Sequence, residues 1–110
     1  MEKSDIVRIL EEIAVFLEFA ETNPFEVNAF RNGAQYLDEW QGDLQQAVRE
    51  GTLTDIYGIG KGIASVVTEL VRTGRSEKYD KLRGAYPAGF LELFHVPGLG
   101  MKKIKALHAA

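Results

Sequence analysis

Two short stretches of this chain offer backbone chemistry rather than side-chain chemistry. Gly58-Ile59-Gly60-Lys61-Gly62 is answered forty residues later by Gly98-Leu99-Gly100-Met101-Lys102-Lys103. In each, a short apolar segment (Leu53 to Ile56, Leu91 to Phe94) leads into a glycine–aliphatic–glycine turn, and a helical pattern begins at the last glycine. Glycine reaches backbone angles closed to other residues and puts no side chain in the way of a ligand. The aliphatic residue between the glycines can plug the space between two helices. Unpaired amides opening the second helix, with the positive end of its dipole, suit a phosphate. Lys61 and the Lys102-Lys103 pair add full charges beside them. The alternative is that both turns are tight helix connections and nothing more. A dinucleotide-binding fold would need a strand before the glycines, and none can be read there.

The other reactive residue types are sparse. With no cysteine there is no disulfide, thiolate–zinc site or cysteine nucleophile, and the two histidines, His95 and His108, are too few for a histidine cage. Glu11-Glu12, and Asp38-Glu39 near Asp43, are carboxylate pairs of the kind used for acid–base or metal work, but their spacing puts them on solvated helix faces. His95 can touch a ligand from the second turn or simply lie at the surface. Tyr57 can pack or reach into a groove. Phe30, Tyr36 and Trp40, at helical spacing, read as core.

The elements that must carry these turns are helical throughout. Ser4 or Asp5 can cap a first helix whose apolar stripe is Ile6, Ile9, Leu10, Ile13, Phe16, Leu17 and Ala20. Asn23-Pro24-Phe25-Glu26 opens a second, with Asn23 as cap, Pro24 in the first turn and Glu26 completing a pair like a capping box. Gly33 inside it weakens the helix or marks a close crossing. Asp43 starts a short helix stopped by Gly51, and Leu53 to Ile56 makes a turn or two. Gly60 to Thr73 is helical, with Gly74 as its stop, and Ser76 caps a brief helix to Arg83. Tyr86-Pro87 interrupts, 88–94 is short and helical, and 101–110 is a last helix. No strand pattern occurs, so the expected fold is all-α, a compact bundle of short helices in which each glycine turn joins two helices as a hairpin.

At 110 residues, 45% hydrophobic and 26% charged, the chain is one domain or one domain with a small appendage. No apolar run approaches the ~18 residues of a membrane span. The N-terminus has no signal peptide, so the cytoplasm is the expected location and no membrane the expectation. The net charge of −3 hides an asymmetry: residues 1–50 carry four basic groups against eleven acids, and residues 51–110 carry nine against five. A protein that binds phosphate with one face has this distribution, and so does a random scatter of surface charge.

The paired glycine turns resemble the helix-hairpin-helix motif, which binds the DNA backbone without reading sequence. The likeness widens through Gly58 to Gly74, through Ser76-Glu77-Lys78-Tyr79-Asp80-Lys81-Leu82, and through Val27-Asn28-Ala29-Phe30-Arg31 after an acidic amphipathic helix. Together these are similar to the N-terminal region of family X DNA polymerases, with the acidic, lysine-poor first half closest to bacterial members. The resemblance implies an N-terminal lyase-type domain over residues 1–83 with the first hairpin. It implies the start of a fingers (or thumb) subdomain over 86–110 with the second, as a segment of a longer polymerase acting in gap-filling base excision repair. It further implies gapped or nicked duplex DNA as partner, a monomer, and nucleoid association.

Residue by residue, the resemblance assigns DNA binding to Gly58, Gly60, Lys61, Gly62 and Lys78, and to Gly98, Gly100, Lys102 and Lys103. It assigns base stacking to Phe25. Potassium or sodium would be held by the backbone carbonyls of Thr54, Ile56 and Ile59, and of Phe94, Val96 and Leu99. No cofactor is tightly bound in this segment, and divalent metal belongs to the polymerase domain that lies outside it. Lyase members use a Schiff-base lysine where this chain has Val66. The family's basic 5′-phosphate pocket falls here at Glu26, Thr54 and Gly62, with Lys78 retained and a tyrosine replaced by Phe30. Backbone binding is therefore expected and no catalytic residue is. Two alternatives stand beside it: a 5′-deoxyribose-phosphate lyase using Lys61 or Lys78, and a complete small helix-hairpin-helix repair or adaptor protein.

Overall fold

The structure is a computed structural model that describes residues 1–86 and 89–95. Among these residues are five helices: α1 (Lys3–Phe19), α2 (Pro24–Glu39), α3 (Leu44–Glu50), α4 (Lys61–Thr73) and α5 (Glu77–Gly84). Short 3-10 turns lie at Leu53–Asp55 and Phe90–His95. There is no strand among the described residues, so the all-α expectation holds.

Local chemistry sets most of the helix ends. The Asn23 side chain accepts from the Phe25 N–H at 2.9 Å, Asp43 from the Gln46 N–H at 3.1 Å, and Ser76 from the Tyr79 N–H at 3.3 Å. Gly51 and Gly74 end α3 and α4 in the left-handed conformation, φ 69° and 75°. Two ends differ from expectation. Helix α1 begins at Lys3 with Glu2 as its cap rather than Ser4 or Asp5, and Asp5 reaches back to accept from the Glu2 N–H at 3.0 Å. It closes with Glu21 at φ 56° and the Thr22 N–H on the Leu17 carbonyl at 3.1 Å, a Schellman closure made without glycine. Glu26 does not complete a capping box, because its carboxylate turns to Lys78 instead.

Helices α1 and α2 run antiparallel and bury most of the core between them. Lys3 Nζ at the start of α1 donates to the carbonyls of Asp38 and Trp40 at the end of α2, at 2.8 and 2.9 Å. An Arg31–Glu18 ion pair ties the other end. Ile6, Leu10, Ile13, Phe16, Leu37, Val67 and Leu70 are all but fully buried, each contributing about 1.5–3 kcal/mol. Helix α4 crosses α2 at Gly33, where a Cβ would stand 2.6 Å from Ile63 Cδ1 and 3.6 Å from Ile59 Cδ1. Gly33 thus marks a close crossing, not a weakness.

The aromatic expectations split. Phe30 is core. Trp40 lies just beyond α2, half-buried, with its ring so close over Gly42 that a Cβ there would stand 2.1 Å from it. Tyr36 is half-buried and faces the first glycine turn. On the far side of α1, Phe16 stacks with Tyr86 and Phe90, with ring centroids 5.3 and 5.7 Å away, and Phe19 meets both edge-on. The Tyr79 hydroxyl donates to Glu12, which also pairs with Arg8. Glu12 is therefore a structural acceptor and not half of a solvated carboxylate pair.

Candidate nucleic-acid interface

The first glycine turn is built as a hairpin between the 3-10 turn and α4. The Ile59 N–H donates to the Ile56 carbonyl at 3.0 Å, closing a four-residue turn. Gly58, its third residue, has φ 84°, the left-handed value that a type II turn demands there. A Cβ at Gly58 would also stand 2.1 Å from the Tyr36 ring, so the turn rests directly on α2. Tyr57 continues the contact, meeting Tyr36 edge-on at 4.8 Å between centroids while remaining 77% exposed. It both packs and presents a face. Ile59 is buried and reaches Gly33, so the aliphatic plug fills the space against α2 as well as between the two arms of the hairpin.

Gly60 and Gly62 serve a different purpose. Gly60, the residue before α4, is extended (φ −86°, ψ −179°), a conformation open to any residue. A Cβ at either glycine would meet nothing within 4 Å. Of the two uses that glycine offers here, the unusual backbone angle is taken only by Gly58 in this turn. Gly60 and Gly62 instead leave the surface in front of α4 clear. No side chain caps α4, and its first intrahelical bond runs from the Ala64 N–H to the Gly60 carbonyl at 2.9 Å. The amides of Lys61, Gly62 and Ile63 therefore precede the helix's own hydrogen-bond ladder. Lys61 is exposed beside them and forms no ion pair among the described residues.

On the α2 side the turn borders an open depression of about 350 Å³, lined by Glu26, Phe30, Gly58, Gly60, Gly62 and Lys78 among others. Lys78 Nζ lies 2.7 Å from Glu26 Oε1 and 5.6 Å from the centroid of the Phe30 ring. Of the pocket positions that the resemblance implied, Glu26, Phe30, Gly62 and Lys78 come together around one hollow, and Thr54 does not line it. Lys61 does not line it; its side chain lies toward Thr54, Ser65 and Arg72 along another face of α4. Phe25, at the start of α2, is 82% exposed. Val66 is 6% exposed, inside the core.

The remaining site expectations fall out as follows. Thr54, Ile56 and Ile59 lie in sequence along the hairpin, and the Ile56 carbonyl already accepts the turn's hydrogen bond. Phe94 belongs to the 3-10 turn Phe90–His95. Val96, Gly98, Leu99, Gly100, Lys102, Lys103, His108 and the last helix lie outside the described residues. No group of three or more acidic or histidine side chains could hold a metal ion among the described residues. Among them, too, no helix is long and apolar enough to cross a membrane. Sequence reasoning missed the part played by Tyr36, which braces the turn. Its signal was present, an aromatic three residues after Gly33 on the same helix face.

Comparison with known proteins agrees with this geometry. Residues 1–76 match the profile of a helix-hairpin-helix domain. The chain is 40% identical over 108 residues to the DNA polymerase/3′-5′ exonuclease PolX of Bacillus subtilis (strain 168), a family X polymerase. The match takes in 98% of this chain and 18% of that protein, in its N-terminal part. The resemblance to the N-terminal region of a bacterial family X polymerase is borne out.

Proposed function

Since the chain belongs to the family of helix-hairpin-helix domains, we propose that it is the DNA-binding N-terminal segment of a family X DNA polymerase, gripping the duplex backbone without reading its sequence. The observation that carries this is the clear surface in front of α4: extended Gly60 and unobstructed Gly62 leave the opening amides reachable by a phosphate oxygen. Lys61 adds an exposed full charge, and the exposed rings of Phe25 and Tyr57 offer faces to unpaired or end bases. None of these groups reads a base edge, so the grip is indifferent to sequence.

The substrate we assign is gapped or nicked duplex, bound by a monomer in the cytoplasm on the nucleoid, in gap-filling repair. The support is the 40% identity to a protein named as a polymerase and exonuclease, together with the two exposed aromatic rings, which a continuous stacked duplex would not use. Any monovalent ion would be held by hairpin carbonyls shared with a phosphate. Of the two lysines the lyase alternative relies on, Lys78 is engaged by Glu26, and Lys61 lies on another face of α4 from the hollow.

The test is fluorescence anisotropy of labelled gapped DNA across a salt series. Affinity should fall with a log–log slope of about 0.9 per phosphate neutralised, equally for scrambled sequences. Gly60→Val should fold normally and lose most of the binding, because the branched side chain covers the amides. If Gly60→Val binds as the parent does, the hairpin is not the contact.

A further inference from the structure

Helix α4 carries a polar face that leads away from the hairpin. Lys61, Ser65, Thr68 and Arg72 follow one another at the spacing that returns to one side of a helix, while Ile63, Val66, Val67 and Leu70 are buried. With Thr54 from the first arm of the hairpin, these four side chains line one open depression. Lys61, Ser65 and Arg72 are exposed and Thr68 is half-buried. On the reading that the hairpin grips DNA, we infer that the bound strand continues from the turn along this face, its successive phosphates meeting Lys61, the Ser65 and Thr68 hydroxyls, and Arg72.

The stripe is a run of free donors. Like Lys61, Arg72 forms no ion pair among the described residues, whereas Arg8, Arg31, Arg75, Lys78 and Lys81 each have a carboxylate partner. Neither the Ser65 nor the Thr68 hydroxyl makes a hydrogen bond among the described residues, although that of Thr73 turns back to the Glu69 carbonyl at 2.8 Å. The one carboxylate in the lining, Glu69, accepts from the Glu77 N–H at 3.0 Å, at the start of α5, and neutralises neither cation. Two cations against one acid leave the depression positive. A cation in the last turn suits the helix dipole on any face, so the dipole does not account for Arg72 standing in line with Lys61. From Lys61 to Arg72 is about 16 Å at 1.5 Å per residue. Over that length a strand rising about 3.4 Å per nucleotide along the duplex axis passes several phosphates. Lysine, arginine and hydroxyl side chains are the groups that contact phosphate and sugar. The lining has no large apolar side chain of the kind that anchors a protein partner.

The experiment measures anisotropy of gapped duplexes across a salt series with the parent, Arg72→Gln, Arg75→Gln and the double variant Ser65→Ala with Thr68→Ala, each checked for folding by thermal melting. Arg72→Gln should lower the log–log salt slope by about 0.9, which shrinks the affinity loss between about 50 and 200 mM salt roughly threefold. Arg75→Gln removes the same charge from beyond the end of α4, where Asp80 already pairs with it, and should leave the slope unchanged. The double alanine variant removes neutral donors, so it should weaken binding about two- to tenfold at every salt concentration without changing the slope. Shortening the duplex from either end reads the order of contacts. In one of the two series the effect of Arg72→Gln should disappear while Lys61→Gln still has its own. A slope that Arg72→Gln leaves unchanged, or that Arg75→Gln lowers equally, would overturn the inference. So would a double alanine variant that binds as the parent does, or Arg72 and Lys61 effects lost at the same duplex length. Failure of the DNA-binding reading is seen separately, as a parent with no salt-dependent binding, and it takes the inference with it. A parent whose binding depends on Gly60 but not on Arg72 keeps that reading and rejects the inference alone.

Discussion

Replacing Gly58 by alanine separates the turn's geometry from its ligand-facing surface. At φ 84°, any side chain brings left-handed strain of about 1–2 kcal/mol. The new Cβ would also stand 2.1 Å from Tyr36 Cδ2, so the ring must move. Moving it forfeits the edge-on contact with Tyr57, about 0.5–1.5 kcal/mol. Together the loss should be about 2–3 kcal/mol, a fall in melting temperature on the order of 10 °C for a domain this size. Gly60→Ala is the control two residues away: its backbone is extended and its Cβ meets nothing, so stability should stay within about 0.5 kcal/mol of the parent. Urea denaturation of both variants measures the difference. A third comparison isolates the brace: with Tyr36→Ala already in place, Gly58→Ala should cost only the strain, about 1–2 kcal/mol. If Gly58→Ala unfolds at the same urea concentration as Gly60→Ala, or costs the same with and without Tyr36, the account of the turn is wrong.

Three further outcomes follow from the packing. Burial, then the hydrogen bond to Glu12 and its charge, raise the Tyr79 hydroxyl above its ordinary value near 10, with Arg83 and Arg8 opposing. The neutral phenol is thus favoured by folding, and its contribution is complete below pH 10 and lost as pH climbs through the raised value. Tyr79→Phe should cost about 1 kcal/mol at pH 7 and show a shallower alkaline loss in pH-dependent melting. Val66→Lys should destabilise by at least ~2 kcal/mol in urea denaturation, because the ammonium replaces a methyl pair in the core, and should give no borohydride-trapped adduct with 5′-deoxyribose-phosphate DNA. Gly33→Leu should cost about 1–3 kcal/mol by forcing Ile63 and α4 away from α2, and should weaken DNA binding in the anisotropy assay more than a surface change of equal size.

Most helix ends were legible because their chemistry is local. Asn23-Pro24, Asp43, Ser76, Gly51 and Gly74 each act on amides or carbonyls within one turn, and the sequence shows both partners side by side. The start of α1 was less so, since glutamate is a poor cap and Ser4 and Asp5 are better ones. The glycine turn was legible as a motif, yet the division of labour within it was not. Gly58, Gly60 and Gly62 are identical letters, and only φ and the neighbouring Tyr36 ring distinguish the one that shapes the turn from those that clear its surface. The pairings across the chain were hidden for a plainer reason. Glu26 with Lys78 and Glu12 with Tyr79 lie fifty-two and sixty-seven residues apart, and helical periodicity carries no information about which helices meet.

Helix α2 touches the hairpin at three levels: Glu26 at the rim of the hollow, Gly33 at the crossing with α4, and Tyr36 beneath the turn. From Glu26 to Tyr36 is about 15 Å of one unbroken helix at 1.5 Å per residue. Gly33, lacking a methyl, lets α4 close on the middle of that length. The rim of the hollow and the bed of the turn are thus marked off along one ruler, and the spacing between them is set by the rise of α2 and not by the hairpin itself.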